Sequence, residues 1–171
     1  MDEPHPACLP IDKLLAQCDE RRERRSGPGG QHRNKVETAV VLTHRPTEVY
    51  AEANERRSQS ENRTVAIFRL RLHLALAVRR PLDPAQPLPE PSDLWKSRVR
   101  GGRIQVNEAH DDFPAVLAEA LDRVVALGDV KIAAETLGAT ASQLVKFFKQ
   151  EPAAFQYVNE RRKAHGQRPL L

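Results

Sequence analysis

The sequence predicts an α+β fold in which a small mixed domain precedes a helical region. Residues 36–43 are rich in β-branched side chains and lie between polar segments, which predicts a strand. Residues 47–53 alternate weakly between polar and apolar side chains after the turn signal Arg45-Pro46, so the two segments are expected to form a hairpin. Residues 111–163 instead repeat apolar side chains at helical spacing.

The N-terminal part adds a short helix and two segments of ambiguous pattern. Residues 11–18 place apolar side chains at 11, 14, 15 and 18, which predicts a short amphipathic helix. Residues 19–25 are too charged for a core strand, and their pattern alone favours a helix. Residues 57–78 lack glycine and proline and line a helical face, but the alternation over residues 68–76 favours a strand.

A proline-rich stretch divides the chain. Five prolines fall within residues 81–92, which is typical of an extended, semi-rigid linker. Beyond it lie the single tryptophan, Trp95, and the stretch Arg98-Val99-Arg100-Gly101-Gly102-Arg103. We expect Trp95 to dock in a groove of the first domain, with an RNA-contacting Arg/Gly patch as the alternative. The predicted organisation is a domain at 1–80, a linker and docking segment at 81–109, and a helical extension at 110–171.

Capping signals place four helices in this extension. Asp112 is predicted to cap the first, with Pro114 in its first turn, and Asp129 to begin the second. Thr140 or Ser142 begins the third, and residues 153–163 form the fourth. The order of the second and third helices resembles a helix-turn-helix unit, although plain helical packing is equally compatible with the pattern.

Positive charge is concentrated in the first half of the chain. The net charge is +4, and residues 1–80 hold 15 Lys and Arg against 11 Asp and Glu, whereas residues 110–171 hold 8 of each. Residues 21–35 carry six cations and one acid, which favours a nucleic-acid surface. The two cysteines suggest neither a disulfide framework nor a zinc site, and no targeting or membrane-spanning segment is visible. We therefore expect a cytoplasmic protein with no metal and no cofactor.

The most informative stretch is the loop Ser26-Gly27-Pro28-Gly29-Gly30-Gln31-His32-Arg33-Asn34-Lys35. Three glycines and a proline exclude a helix or a central strand. Without Cβ atoms at Gly29 and Gly30, the backbone N–H groups can approach a ligand closely. The flanking cations imply that this ligand is rich in phosphate.

This loop belongs to an ordered set of motifs: GPGGQ, then NKVETAV, then THRPT, then RSQ followed by Asn62-Arg63. The set resembles the catalytic domain of class I peptide chain release factors and of the small ribosome-rescue peptidyl-tRNA hydrolases. The resemblance covers roughly residues 12–80. It implies a short antiparallel or mixed sheet packed on a long helix, with residues 19–25 as an edge strand and residues 57–78 as the helix.

The resemblance also implies hydrolysis of the ester that joins a nascent peptide to tRNA in the ribosomal peptidyl-transferase centre. Its catalytic residues would be Gly29, Gly30 and Gln31, with Gly27 and Pro28 shaping the loop. The expected contacts to rRNA or tRNA are Arg24, Arg25, His32, Arg33, Asn34, Lys35, Arg57 and Arg63. The implied partners are the ribosome and peptidyl-tRNA, and a second rescue factor is a further candidate.

Only 26 residues precede Gly27, so we expect codon-independent release on stalled ribosomes, not termination that reads a stop codon. The alternative is a non-catalytic ribosome- or nucleic-acid-binding module that uses the C-terminal helices. Gln31 is also a candidate for methylation of its side-chain amide, as the resemblance implies.

Overall fold

A computed structural model describes residues 4–23 and 38–171 of the chain. The chain divides into two compact units, one ending at Val78 and the other beginning at Arg79. The first unit combines a three-stranded sheet with helices, and the second is mainly helical. The predicted α+β fold class is confirmed.

After a 3-10 turn at Pro6–Cys8, the first unit contains α1 (Ile11–Ala16), β1 (Cys18–Glu23), β2 (Ala39–His44), β3 (Tyr50–Ala53) and α2 (Gln59–Ala77). The three strands are antiparallel in the order β1-β2-β3, so β1 is an edge strand. The edge strand implied by the resemblance is therefore present, and the helix that pattern alone favours at residues 19–25 is wrong. Exposed charged side chains suit an edge, because they discourage pairing with another chain.

The core of the first unit lies between the central strand and α2. Ala39, Val40, Val41 and Leu42 of β2 are buried, as a strand with neighbours on both sides requires. On α2, Ala66, Leu70 and Leu74 follow one another at intervals of four residues and are fully buried. This helical stripe packs on β2 and β3.

Residues 68–76 alternate between apolar and polar side chains although they lie in a helix. Arg69 donates to the backbone oxygen of Glu52 at 2.9 Å, and Arg71 donates to that of Ala7 at 3.0 Å. The polar side chains between the apolar ones thus bond to neighbouring segments on both sides of the helix. Ser58 begins α2 by accepting a hydrogen bond from the Glu61 N–H, a standard helix cap.

The second unit contains α3 (Asp93–Arg98), β4 (Val99–Arg100), β5 (Arg103–Ile104), α4 (Phe113–Leu127), α5 (Val130–Thr136), α6 (Ala141–Phe148) and α7 (Pro152–Ala164). The last four are the helices predicted for residues 110–171. Asp129 and Thr140 cap α5 and α6 with their side chains, as expected. Asp112 precedes α4 but does not cap it, because its carboxylate accepts hydrogen bonds from Arg98 instead.

The proline-rich segment is held against α4. The Asp122 carboxylate accepts from the Arg79 guanidinium and from the Arg80 N–H, both at 3.1 Å. Farther along, Arg123 donates to the backbone oxygen of Pro89 at 2.8 Å, and Ser92 donates to Glu119. These bonds fix the path of an otherwise irregular segment within the second unit.

Trp95 does not dock on the first domain, so that prediction is wrong. Its side chain is buried inside the second unit, where the indole N–H donates to the backbone oxygen of Leu137 at 2.7 Å. Around it, the second unit has an aromatic and aliphatic core in which the rings of Phe113 and Phe147 lie 5.2 Å apart. No helix among the described residues is long and apolar enough to cross a membrane.

Candidate functional site

Most of the residues predicted to act lie outside the described residues. These are Gly27, Pro28, Gly29, Gly30 and Gln31 of the loop and the flanking Arg24, Arg25, His32, Arg33, Asn34 and Lys35. Two predicted RNA contacts, Arg57 and Arg63, lie within them. What the structure shows is therefore the platform that carries both ends of the loop.

The two ends of the loop are brought together by the sheet. Glu23, the last residue of β1, pairs with Ala39, the first residue of β2. Because these strands are antiparallel neighbours, the chain leaves the sheet and returns to it at directly opposed positions. The glycine-rich stretch is thus an excursion from one end of a hairpin.

Asn62, in the first turn of α2, ties the returning end of the loop to the helix. Its side-chain amide donates to the backbone oxygens of Thr38 at 2.7 Å and Arg56 at 3.0 Å. Its side-chain oxygen accepts from the Arg56 N–H at 2.9 Å. The side chain is fully buried, so both amide hydrogens and the oxygen are used where water cannot replace them.

Asn62 is part of the motif that carries the resemblance, but the sequence alone assigns it no role. The signal that points to it is an asparagine in the first turn of a helix, where a side chain can bond to loop backbone. Its bond to Thr38 joins positions 24 residues apart, and the sequence does not reveal that contact.

Arg63 ties the departing strand to the same helix. Its Nε donates to Glu20 Oε2 at 2.9 Å, and Arg22 lies 3.8 Å from the other oxygen of this carboxylate. These three side chains line an open depression of about 500 Å³ below the loop ends. The pair is partly exposed, so its own contribution to stability is about 0–1 kcal/mol, and guanidinium surface remains available to a ligand.

Arg57 lies in the connection just before α2. Its side chain is exposed and makes no hydrogen bond or ion pair with the part of the chain that the structure describes. An unpaired guanidinium at this position is compatible with contact to a phosphate group.

The THRPT turn braces the other end of the sheet. His44 is buried, with Nε2 at 2.9 Å from Gln17 Oε1 and Nδ1 at 2.8 Å from Thr47 Oγ1. A neutral ring with its proton on Nε2 satisfies both contacts. Burial lowers the pKa of His44, and the adjacent Arg45 lowers it further. His44 is therefore a structural histidine.

Arg45 fastens the same turn to the start of the sheet. Its guanidinium donates to the backbone oxygens of Ala16 and Cys18 and to the Asp19 carboxylate. The THRPT motif thus supports β1 and β2 from the end opposite the loop. Among the described residues, no group of three or more His, Cys, Asp or Glu side chains could hold a metal ion.

Residues 15–98 match the family described as the RF-1 domain. Over this range, just under half of its length, the chain is similar to the RF-1 domain. The matched range includes Gly29-Gly30-Gln31, the three strands and α2, so the release-factor-like character predicted from the motifs is confirmed. The match extends past the end of the first unit at Val78 and stops at the end of α3.

Individual relatives agree with the domain match. Peptide chain release factor 2 from Acidovorax sp. (strain JS42) and from Acidovorax ebreus (strain TPSY) are each 35% identical to this chain over 105 residues. The similarity covers 60% of this chain but 29% of each relative, so the chain spans less than a third of their length. Helices α4 to α7 lie beyond the RF-1 domain match.

Proposed function

We propose that this chain hydrolyses the ester between a nascent peptide and tRNA on stalled ribosomes, independently of the codon in the decoding site. The observation that carries the proposal is the RF-1 domain match, whose range contains the intact Gly29-Gly30-Gln31 motif. The loop acts on the ester bond, and that chemistry is the same whichever codon is present. The proposal places the protein in the cytoplasm, with the peptidyl-transferase centre and peptidyl-tRNA as its partners.

The proposed chemistry relies on position, since a neutral amide is a weak base. Attack of water on the ester carbonyl creates an oxyanion, and the backbone N–H of Gln31 is assigned to stabilise it. The Gln31 side-chain amide orients the attacking water and does not deprotonate it. Gly29 and Gly30 keep the loop narrow enough to approach the ester, and Gly27 and Pro28 shape its entry.

The platform supports this assignment. Asn62 and Arg63 hold opposite ends of the loop to a single turn of α2. Fixing both ends reduces the conformational entropy that the loop loses when it engages the reaction centre. The cations on either side of the loop, together with Arg57 and the exposed part of Arg63, are assigned to phosphates of rRNA or tRNA.

The second unit is assigned to target selection. In this proposal residues 1–80 supply the chemistry, residues 81–109 link the two regions, and residues 110–171 select the ribosomal state, alone or with a second rescue factor. The balanced charge of this last region favours recognition by shape and specific contacts over bulk attraction.

The test is peptide release from purified stalled complexes, with and without a stop codon in the decoding site. Wild-type chain should release peptide from both. Gly30→Ala, which displaces the oxyanion donor, and Gln31→Ala, which removes the amide that orients the attacking water, should each lower the rate by about 10²–10³-fold. Both variants leave the bonds of Asn62 and Arg63 intact and should fold normally. Gln105→Ala, at an exposed site in the second unit, is the matched control.

Three outcomes would reject the proposal. A normal release rate with Gly30→Ala would remove the catalytic role of the loop. Release only with a stop codon would replace rescue by codon-dependent termination. Ribosome binding without release by the wild-type chain would instead support the non-catalytic binding module.

A further inference from the structure

The turn between α5 and α6 is held by two segments that lie far from it in the sequence. The Trp95 indole N–H donates to the backbone oxygen of Leu137. Two residues later along the turn, Gly102 forms a parallel bridge to Ala139, and the Thr140 N–H donates to the Gly102 oxygen at 3.0 Å. The β4–β5 hairpin is thereby fixed beside the start of α6.

Glycine is required for this approach. Gly101 and Gly102 have φ angles of +56° and +74°, which suit a two-residue hairpin turn. A Cβ atom on Gly102 would lie 3.1 Å from Thr140 Cγ2. The Gly-Gly turn therefore serves both the hairpin and its contact with the helical pair.

The hairpin presents two guanidinium groups with no internal partner. Arg100 and Arg103 pair directly across β4 and β5, and like charges in such a position are destabilising. Both are exposed, and neither side chain makes a hydrogen bond or ion pair with the described residues. By contrast, Arg98 is paired with Asp112. An external anion would relieve the repulsion between Arg100 and Arg103.

Polar donors lie next to these arginines at the start of α6. The hydroxyl groups of Thr140 and Ser142 are exposed and lie 3.2 Å apart. In helix-turn-helix proteins, residues at the start of the second helix contact nucleic acid. Two weak sequence signals, the Arg/Gly stretch and the helix pair, thus meet where Gly102 contacts Thr140. We call Arg100, Arg103, Thr140 and Ser142 the hairpin–helix surface.

We propose that the hairpin–helix surface binds the phosphate backbone of structured RNA. Its two guanidiniums would each neutralise a phosphate, and the hydroxyl groups would hydrogen-bond to phosphate or ribose oxygens. The choice of RNA over DNA rests on the proposed function, because that function places the chain on rRNA and tRNA. The site itself is separate from the glycine-rich loop and goes beyond ester hydrolysis.

The test measures binding of the full chain to a fluorescein-labelled RNA stem-loop by anisotropy over a series of salt concentrations. The Arg100→Gln/Arg103→Gln variant should lower the salt slope by about two and weaken binding at least tenfold. Removing the repulsive pair should leave the hairpin folded. Lys163→Gln/Arg168→Gln removes two exposed charges at and beyond the end of α7 and is the matched control, whose slope should change by less than half as much.

A second variant probes the same surface without altering the hairpin. Ser142→Glu adds an acid to the first turn of α6, where a negative charge favours the helix, but it should repel phosphate and weaken RNA binding severalfold. Arg100→Lys/Arg103→Lys keeps both charges and should retain most of the wild-type salt slope.

Equal slopes for the two glutamine variants would overturn the inference, as would unchanged binding by Ser142→Glu. Binding to a DNA stem-loop of the same sequence as tight as binding to RNA would overturn the choice of RNA. Peptide release is measured in parallel. If the Arg100→Gln/Arg103→Gln variant loses RNA binding while the wild-type chain releases no peptide, the proposed function is rejected and this inference stands. If the wild-type chain releases peptide while that variant binds RNA normally, this inference is rejected and the proposed function stands.

Discussion

At the scale of single residues, Asn62 decides whether the loop has a fixed base. Three backbone groups bond to this one buried amide, two carbonyl oxygens and one N–H. An apolar replacement would leave all three without a partner, and each unpaired buried group costs about 1–3 kcal/mol.

We therefore expect Asn62→Leu to lower the free energy of unfolding by about 3 kcal/mol or more, as measured by urea denaturation. Release should fall as well, because the returning end of the loop is no longer held. Thr64→Ala, at an exposed position in the same helix, should change stability by less than about 0.5 kcal/mol. Similar stabilities for the two variants would show that the Asn62 bonds are dispensable.

The sequence reveals the residues of the site better than their roles. The loop and the pair Asn62-Arg63 stand out as motifs, but the bond from Asn62 to Thr38 joins positions that are 24 residues apart. Likewise, Arg63 reads as an RNA contact, yet its Nε is engaged by Glu20. Which side chains pair between distant segments depends on how the structure packs, and residue spacing in the sequence does not reveal it.

At the scale of elements, local signals succeeded where capping and turn chemistry dominate. Asp129 and Thr140 begin helices as predicted, because a side-chain cap is a local interaction. Periodicity misled in α2 and β1. In α2 the polar residues are polar because they bond to neighbouring segments, and β1 is charged because it is an edge. Trp95 was assigned to the wrong unit, because the sequence indicates that a tryptophan is buried but not which residues it packs against.

The hairpin offers a direct test of element packing. Gly101→Ala and Gly102→Ala both place a side chain at positive φ, which costs about 1–2 kcal/mol. Only Gly102→Ala also pushes a Cβ against Thr140 Cγ2, so it should be the more destabilising of the two when unfolding is followed by Trp95 fluorescence.

Thr140→Ser removes the opposing methyl group but keeps the hydroxyl that caps α6. Gly102→Ala should lose more stability than Gly101→Ala because of its contact with Thr140. We expect the double variant Gly102→Ala/Thr140→Ser to regain this difference. Identical losses for both alanine variants would mean that the close approach of hairpin and turn carries no energetic weight.

At the scale of the whole molecule, one buried group in each unit should change the stability of its unit in opposite directions as the pH falls. The pKa of His44 in the first unit is lowered from 6.5 by burial. Burial raises the pKa of Asp122 in the second unit from 3.8 to about 6, although Arg79 opposes this shift. Below pH 6.5 the unfolded first unit takes up a proton before the folded one, so its stability falls. As the pH falls from 6 to 3.8, Asp122 takes up a proton in the folded second unit but not in the unfolded one, so the stability of the second unit rises.

The measurement compares each unit with a variant that cannot titrate. Trp95 is the only tryptophan, so its fluorescence follows the second unit, and amide exchange at Leu42 follows the first. From pH 7 to pH 5 the advantage of wild type over His44→Gln should shrink, while the stability of wild type relative to Asp122→Asn should rise. Parallel changes in the two comparisons would contradict the assignments.

The pairing of Glu23 with Ala39 has a consequence for how such a protein can change. Opposed residues in an antiparallel ladder are about 4.5–5.5 Å apart, a gap that a two-residue turn can span. A short turn could therefore join β1 to β2 in place of most of the residues between them, while Thr38 stays to accept from Asn62. The loop could therefore be shortened, exchanged or replaced by Asn-Gly while the sheet register stays the same. The register of the sheet and the composition of the loop then lie in separate stretches of the chain, which are joined through the bond from Asn62 to Thr38.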